Sequence, residues 1–157
     1  MLSVAGAAAG PAASVVQAQK VVYLVRHAER LDDSRDSALS ADGWARAARL
    51  ADTLRDAGIT AIFATEYQRT ADTARPLAAR LGIPVQQVAA GQSGALIARL
   101  KASGPSARIL VVGHSDTVPE LLQLMGYPVE IVIAKGEHDN VFVVLPGTKP
   151  VVLRLRY

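Results

Sequence analysis

Apolar positions along the chain fall into two kinds of run. Val21 to Val25 and Ile109 to Val112 are short, continuous and rich in β-branched residues, the pattern of strands buried on both faces, and Ile59 to Ala64 reads as a further short strand. Between them apolar residues recur at helical spacing. Ser40 predicts an N-cap with Asp42 in the first turn; Trp44, Ala47, Ala48, Ala51 and Leu54 then mark one helix face, and Gly58 its C′ end. A second helix is expected from Thr65-Glu66 through Leu81, closed by Gly82 and Pro84, with Pro76 kinking or dividing it. Val85 to Ala89 reads as a short edge strand, Ser93 to Ser103 as a helix, and Thr117 to Met125 as another with Pro119 in its first turn. Val141 to Leu145 and Val151 to Leu155 flank a Pro- and Gly-bearing loop of five residues and predict a closing β-hairpin. Strands alternating with helices, without an internal repeat, predict an α/β fold. The expected architecture is a single-domain three-layer sandwich, with a mainly parallel central sheet, helices on both faces and a C-terminal hairpin.

Composition narrows the function classes. At 157 residues the chain suffices for one domain with its own core. It has no cysteine, which excludes thiol nucleophiles, thiolate metal sites and disulfides. The net charge of +3 is modest and the arginines are scattered, so no nucleic-acid partner is expected. Residues 1–18 are rich in Ala, Val, Gly and Ser and end in Val16-Gln17-Ala18, which suits signal-peptidase cleavage, although no basic residue follows Met1. They are expected to be a signal peptide or a disordered leader ahead of a domain at 20–157, with a periplasmic or secreted location, or a cytoplasmic one if the leader is not a signal. The apolar part is too short and broken by Gly10-Pro11 to span a membrane.

Chemistry concentrates at three strand ends: Arg26-His27-Ala28-Glu29, Thr65 to Thr70 with Arg69, and Gly113-His114-Ser115-Asp116. In a parallel sheet such ends share one edge, so His27, Arg69 and His114 can converge. A metal site is disfavoured because Arg26 and Arg69 would repel a cation and no paired-histidine spacing is present. Gly113 to Thr117 resembles the nucleophile elbow of serine hydrolases. However, Thr117 stands where the second glycine is needed, and His138 precedes Asp139, the reverse of the usual order. An anion fits better: guanidinium forks match phosphate oxygens, and imidazole is a competent nucleophile toward phosphorus. Bland roles compete for several residues. Glu29 suits an ion pair orienting Arg26 or Arg30, His138 a solvated loop, Tyr67 and Trp44 packing, and Asp116 or Ser115 the start of the following helix.

Four motifs in order then resemble one family. Leu24 to Glu29 is similar to the Arg-His-Gly signature of the histidine phosphatase superfamily, the phosphoglycerate-mutase-like proteins. Leu39 to Gly43 resembles its Leu-Thr/Ser-x-x-Gly helix start, Ala64 to Ala74 its arginine-bearing element, and Val111 to Ser115 its second-histidine motif. The resemblance implies a phosphatase in which His27 takes the phosphoryl group and water releases it. Arg26, Arg69, His114 and Ser115 would surround the phosphate, with no metal or other cofactor. The substrate would be a small phosphorylated molecule or a phosphoprotein. Ala28 replaces the common glycine. Many members place a glutamate proton donor between the second arginine and second histidine, but Leu77 to Ser106 holds no acidic residue. The candidates for that role are therefore Glu66, Asp116, Glu137 and Asp139, and an enzyme acting on a good leaving group, such as a phosphoramidate or aryl phosphate, would need such an acid less. Mutase activity is not expected in so short a chain. The missing donor also motivates the alternative of a catalytically weak phosphate-binding or regulatory protein.

Overall fold

The computed structural model describes residues 18–157, so the expected leader lies almost wholly outside it. Six strands form one sheet: β1 (Val21–Arg26), β2 (Ala61–Thr65), β3 (Val85–Val88), β4 (Arg108–Gly113), β5 (Asn140–Leu145) and β6 (Val151–Arg156). Their order is β3-β2-β4-β1-β5-β6. The first four are mutually parallel, while β5 runs antiparallel to β1 and forms the hairpin with β6. Helices α1 (Ala41–Leu54), α2 (Gln68–Leu81), α3 (Ser93–Ala102) and α4 (Thr117–Leu124) complete the α/β fold. Among the described residues no helix is long and apolar enough to cross a membrane.

The alternation along β1 divides the core. Val21, Tyr23 and Val25 meet Leu50, Ala51 and Leu54 of α1 and Ala74, Leu77 and Ala78 of α2. Val22 and Leu24 face the opposite layer, where Leu96 and Leu100 of α3 pack with Leu121 and Leu122 of α4. Burying each such side chain is worth about 1.5–3 kcal/mol. A strand feeding both layers must therefore be apolar throughout, until it emerges at its carboxyl end.

Several boundaries differ from expectation. α1 ends at Leu54, and a turn closed by Ala57 N–H on the Leu54 carbonyl precedes Gly58. Gly58, at φ +69°, therefore serves that turn rather than the helix C′ position. β2 is displaced to Ala61–Thr65 because Thr65 still continues the ladder, opposite Val88. α2 accordingly starts at Gln68, and Pro76 lies inside one undivided helix that packs beside α1 on the same sheet face.

Gly43 fixes how α1 meets the end of β1. Ser40 donates its N–H to the Glu29 carbonyl at 3.0 Å and accepts from Gly43 N–H at 3.1 Å through its side chain. A Cβ on Gly43 would lie 2.2 Å from the Glu29 carbonyl oxygen. Gly43→Ala must push the helix start off the backbone that follows His27. It is expected to destabilise the protein by about 1–3 kcal/mol, read as a lower thermal midpoint. Unchanged stability in this variant would contradict the close approach.

Candidate active site

The carboxyl ends of β1, β2 and β4 are neighbours. Arg26 pairs in register with Gly113, and the His27 N–H extends the ladder to the Gly113 carbonyl at 2.9 Å. His27 is 4% exposed and Arg26 8% exposed. The His27 ring lies 5.3 Å from that of His114, centroid to centroid, in an edge-on arrangement.

Both imidazoles have a defined tautomer. His27 Nδ1 lies 2.7 Å from the Ala28 carbonyl, which can only accept, so Nδ1 carries the proton and Nε2 the lone pair. His114 Nε2 donates to Thr65 Oγ1 at 2.8 Å, which passes the chain to Thr70 Oγ1 at 2.9 Å and on to the Tyr67 carbonyl. His114 Nδ1 then accepts, with Arg69 Nη2 3.5 Å away. Thr73 receives the Ala28 N–H at 2.9 Å and donates to the Arg69 carbonyl at 2.7 Å. One hydroxyl thus ties the backbone after the first histidine to that of the second arginine.

The two arginines have no carboxylate within ion-pair distance among the described residues. Arg26 Nη1 donates to the carbonyls of Ala134, Lys135 and Glu137 at 2.9, 2.8 and 3.1 Å. Arg69 Nη1 donates to the Arg35 carbonyl at 2.8 Å, and its guanidinium lies 4.4 Å from the centre of the Tyr67 ring. The Nε of each is buried and makes no hydrogen bond. Burial, and then the neighbouring Arg30 and Arg69 charges, push the Arg26 pKa down. Guanidiniums without a direct carboxylate partner are costly to bury until an anion enters.

Together with Ser115, Asp116 and Arg30, these side chains line a cavity of about 540 Å³. The proton-donor candidates separate. Asp116 lines the cavity as the N-cap of α4. Burial raises its pKa, but hydrogen bonds from Thr117 N–H and its own backbone outweigh that and hold it below the usual carboxylate value. Glu66 accepts the Ala90 N–H at 2.7 Å at the edge of the site. Glu137 and Asp139 do not line the cavity and instead pair with Arg154 and Arg156 of β6.

Some placements correct the sequence reading. His138 is half-buried rather than free in solvent: its Nδ1 donates to the His27 carbonyl at 2.8 Å, and its ring centroid is 5.6 Å from that of His27. Glu29 pairs with Arg46 of α1, through two oxygens at 2.6–2.9 Å, rather than with Arg26 or Arg30. Tyr67 lines the cavity, and Ser115 does so too while Asp116 caps the helix. Glu120 and Arg30 are further cavity residues that the sequence reading passed over. Glu120 follows Asp116 by four positions on a helix, a spacing that places both on one face. Among the described residues no group of three or more histidines and carboxylates is arranged to hold a metal ion.

Burial pushes the His27 pKa down to about 3 and that of His114 to about 4. Neighbouring positive charges act in the same sense, against the raising effect of the Ala28 carbonyl on His27. Both values lie below the ordinary 6.5, so the unfolded chain binds more protons than the folded one in this window. Their contribution to stability is complete above pH 6.5 and is lost as pH falls toward 4 and then 3. The thermal midpoint should therefore fall between pH 7 and pH 4, and less steeply in a His27→Asn, His114→Asn double variant. Equal slopes would contradict the assignment.

Parallel strand ends carrying a neutral imidazole with its Nε2 free, inside an arginine cup, define a class: the phosphatases with a histidine nucleophile. The family model of the histidine phosphatase superfamily (branch 1) matches residues 22–92, a span that holds His27 and Arg69. No curated protein matches the sequence. Solved structures with the same fold include the protein histidine phosphatase SixA with tungstate, at 18% identity and TM-score 0.73, covering 87% of this chain and 96% of that one. A candidate α-ribazole-5′-P phosphatase from Escherichia coli has 17% identity and TM-score 0.73, covering 88% and 97%. A mycobacterial glucosyl-3-phosphoglycerate phosphatase with inorganic phosphate has 17% identity and TM-score 0.70, covering 87% and 97%. At these identities the likeness is one of fold.

Proposed function

We propose that the protein hydrolyses a phosphate monoester or phosphoramidate through a phosphohistidine on His27, without a metal. The observation that carries this reading is the pairing of two arginines lacking carboxylate partners with an imidazole whose Nδ1–H is tied to the Ala28 carbonyl. The His27 Nε2 lone pair forms the bond to phosphorus, and the leaving atom departs with its bonding pair. Water then attacks phosphorus and gives up a proton to solvent, the P–N bond breaks and its electrons return to Nε2, releasing inorganic phosphate. Arg26, Arg69 and His114 stabilise the charge on the transferring phosphoryl oxygens. The depressed pKa of His27 keeps the nucleophile neutral at neutral pH.

Asp116, held as a carboxylate, is a poor proton donor at neutral pH, which favours substrates whose leaving group needs little protonation. The same observation supports the second reading, a phosphate-binding protein with weak turnover. Incubation with p-nitrophenyl phosphate, with acid-labile phosphoryl groups trapped by rapid quench, separates the two. Turnover that survives EDTA, with an adduct mapped to His27, is the expected result. Phosphate binding without adduct or turnover would overturn the enzyme reading, and loss of activity with EDTA the metal-free mechanism.

A further inference from the structure

The cavity has walls of opposite sign. Arg26, Arg30 and Arg69 line it together with two carboxylates, Asp116 and Glu120, both from the start of α4. A helix N-terminus tolerates acidic residues for its own reasons. That does not account for Ser93 of α3, 5% exposed, whose hydroxyl donates to Glu120 Oε2 at 2.7 Å and holds an otherwise exposed side chain at the cavity. Asp116 Oδ2 and Glu120 Oε1 make no hydrogen bond among the described residues. On the cationic side Arg26, 8% exposed, presents a buried Nε that also has no partner.

Resting on the phosphohistidine reading, we propose that the substrate is a zwitterionic phosphate monoester. Its phosphoryl group sits in the arginine cup, and an ammonium or similar cation, a few bonds from the ester oxygen, sits against Asp116 and Glu120. Charge balance favours this class. Three guanidiniums against two carboxylates leave a single positive charge, which a phosphate dianion exceeds and a phosphate joined to one cation matches. Asp33 shares the charge of Arg30 at 2.8 Å, which strengthens the need for a cation. An anionic tail would instead meet both carboxylates. The departing oxygen keeps its bonding pair and takes a proton from water, while the nearby ammonium stabilises the charge that builds on that oxygen.

The test compares three substrates of similar size with cationic, neutral and anionic tails: phosphoethanolamine, glycerol 3-phosphate and 3-phosphoglycerate. The expected order of kcat/KM is the order given, with about tenfold between the first and the last, the scale of a pair of partly screened charges. Glu120→Gln should cut the ratio of phosphoethanolamine to glycerol 3-phosphate several-fold through KM, and Glu120→Lys should reverse the order of cationic and anionic tails. Asp116→Asn, which keeps a good N-cap, provides the same reading if loss of the Ser93 contact unsettles α4. Equal kcat/KM across the tails would overturn the proposal. So would an equal fall for all three in Glu120→Gln, which would make Glu120 a proton donor instead. Calorimetry of the same ligands with His27→Asn reads the preference as binding, independently of turnover. Failure of p-nitrophenyl phosphate turnover counts against the phosphohistidine reading; turnover without tail preference counts against this inference alone.

Discussion

His27→Asn is expected to abolish p-nitrophenyl phosphate turnover, by roughly 10⁴–10⁶-fold, the scale on which removal of a nucleophile acts. Asparagine suits this test because its side-chain amide can still donate to the Ala28 carbonyl, now bound by Nδ1 at 2.7 Å. It carries nothing in place of Nε2. The backbone around it is held independently, by His138 on the His27 carbonyl and by Thr73 on the Ala28 N–H. The variant should fold and bind inorganic phosphate while forming no adduct in the quench assay. Residual adduct on another residue would move the nucleophile elsewhere, with His114 the first alternative. His114 is the weaker candidate because its Nε2 is committed to Thr65 and its Nδ1 faces Arg69.

How much of this could be read from the sequence depends on the range of the interaction. β1 and β4 are continuous apolar runs because each feeds two packed layers. Parallel neighbours must then deliver His27 and His114 to one edge. Gly43 was legible as part of a motif, but its reason is a steric contact with Glu29 that no periodicity reveals. Sequence proximity pairs Glu29 with Arg26 or Arg30, whereas Arg46 reaches it because α1 folds back over the end of β1. His138 is the clearest loss. It lies in a polar segment without helix or strand pattern, and its position depends on contacts more than a hundred residues away in the chain. Loop placement of that kind follows from side-chain to carbonyl bonds, which hydrophobic patterning does not encode.

Those loop contacts give Arg26→Lys a double effect. Lysine keeps the charge but replaces a fork by a single point of attachment. In the native protein Nη1 shares its two hydrogens among three carbonyls of residues 134–137, leaving Nε and Nη2 for an anion. One ammonium cannot satisfy that loop and grip a phosphate at once. The expected result is a fall of about 10²–10³ in kcat/KM, the scale for losing one preorganised donor to a transition-state oxygen. A second, separable readout follows. Residues 131–138 should exchange their amide hydrogens faster, because the carbonyls that anchor them have lost their donor. Arg69→Lys provides the contrast, since Arg69 anchors Arg35 in a different loop and should leave exchange at 131–138 unchanged while still weakening turnover. If Arg26→Lys lowered activity without loosening that segment, Arg26 would be a phosphate ligand alone. If the segment loosened with activity intact, Arg26 would be a structural clamp, and the anion cup would reduce to Arg69, Arg30 and the two histidines.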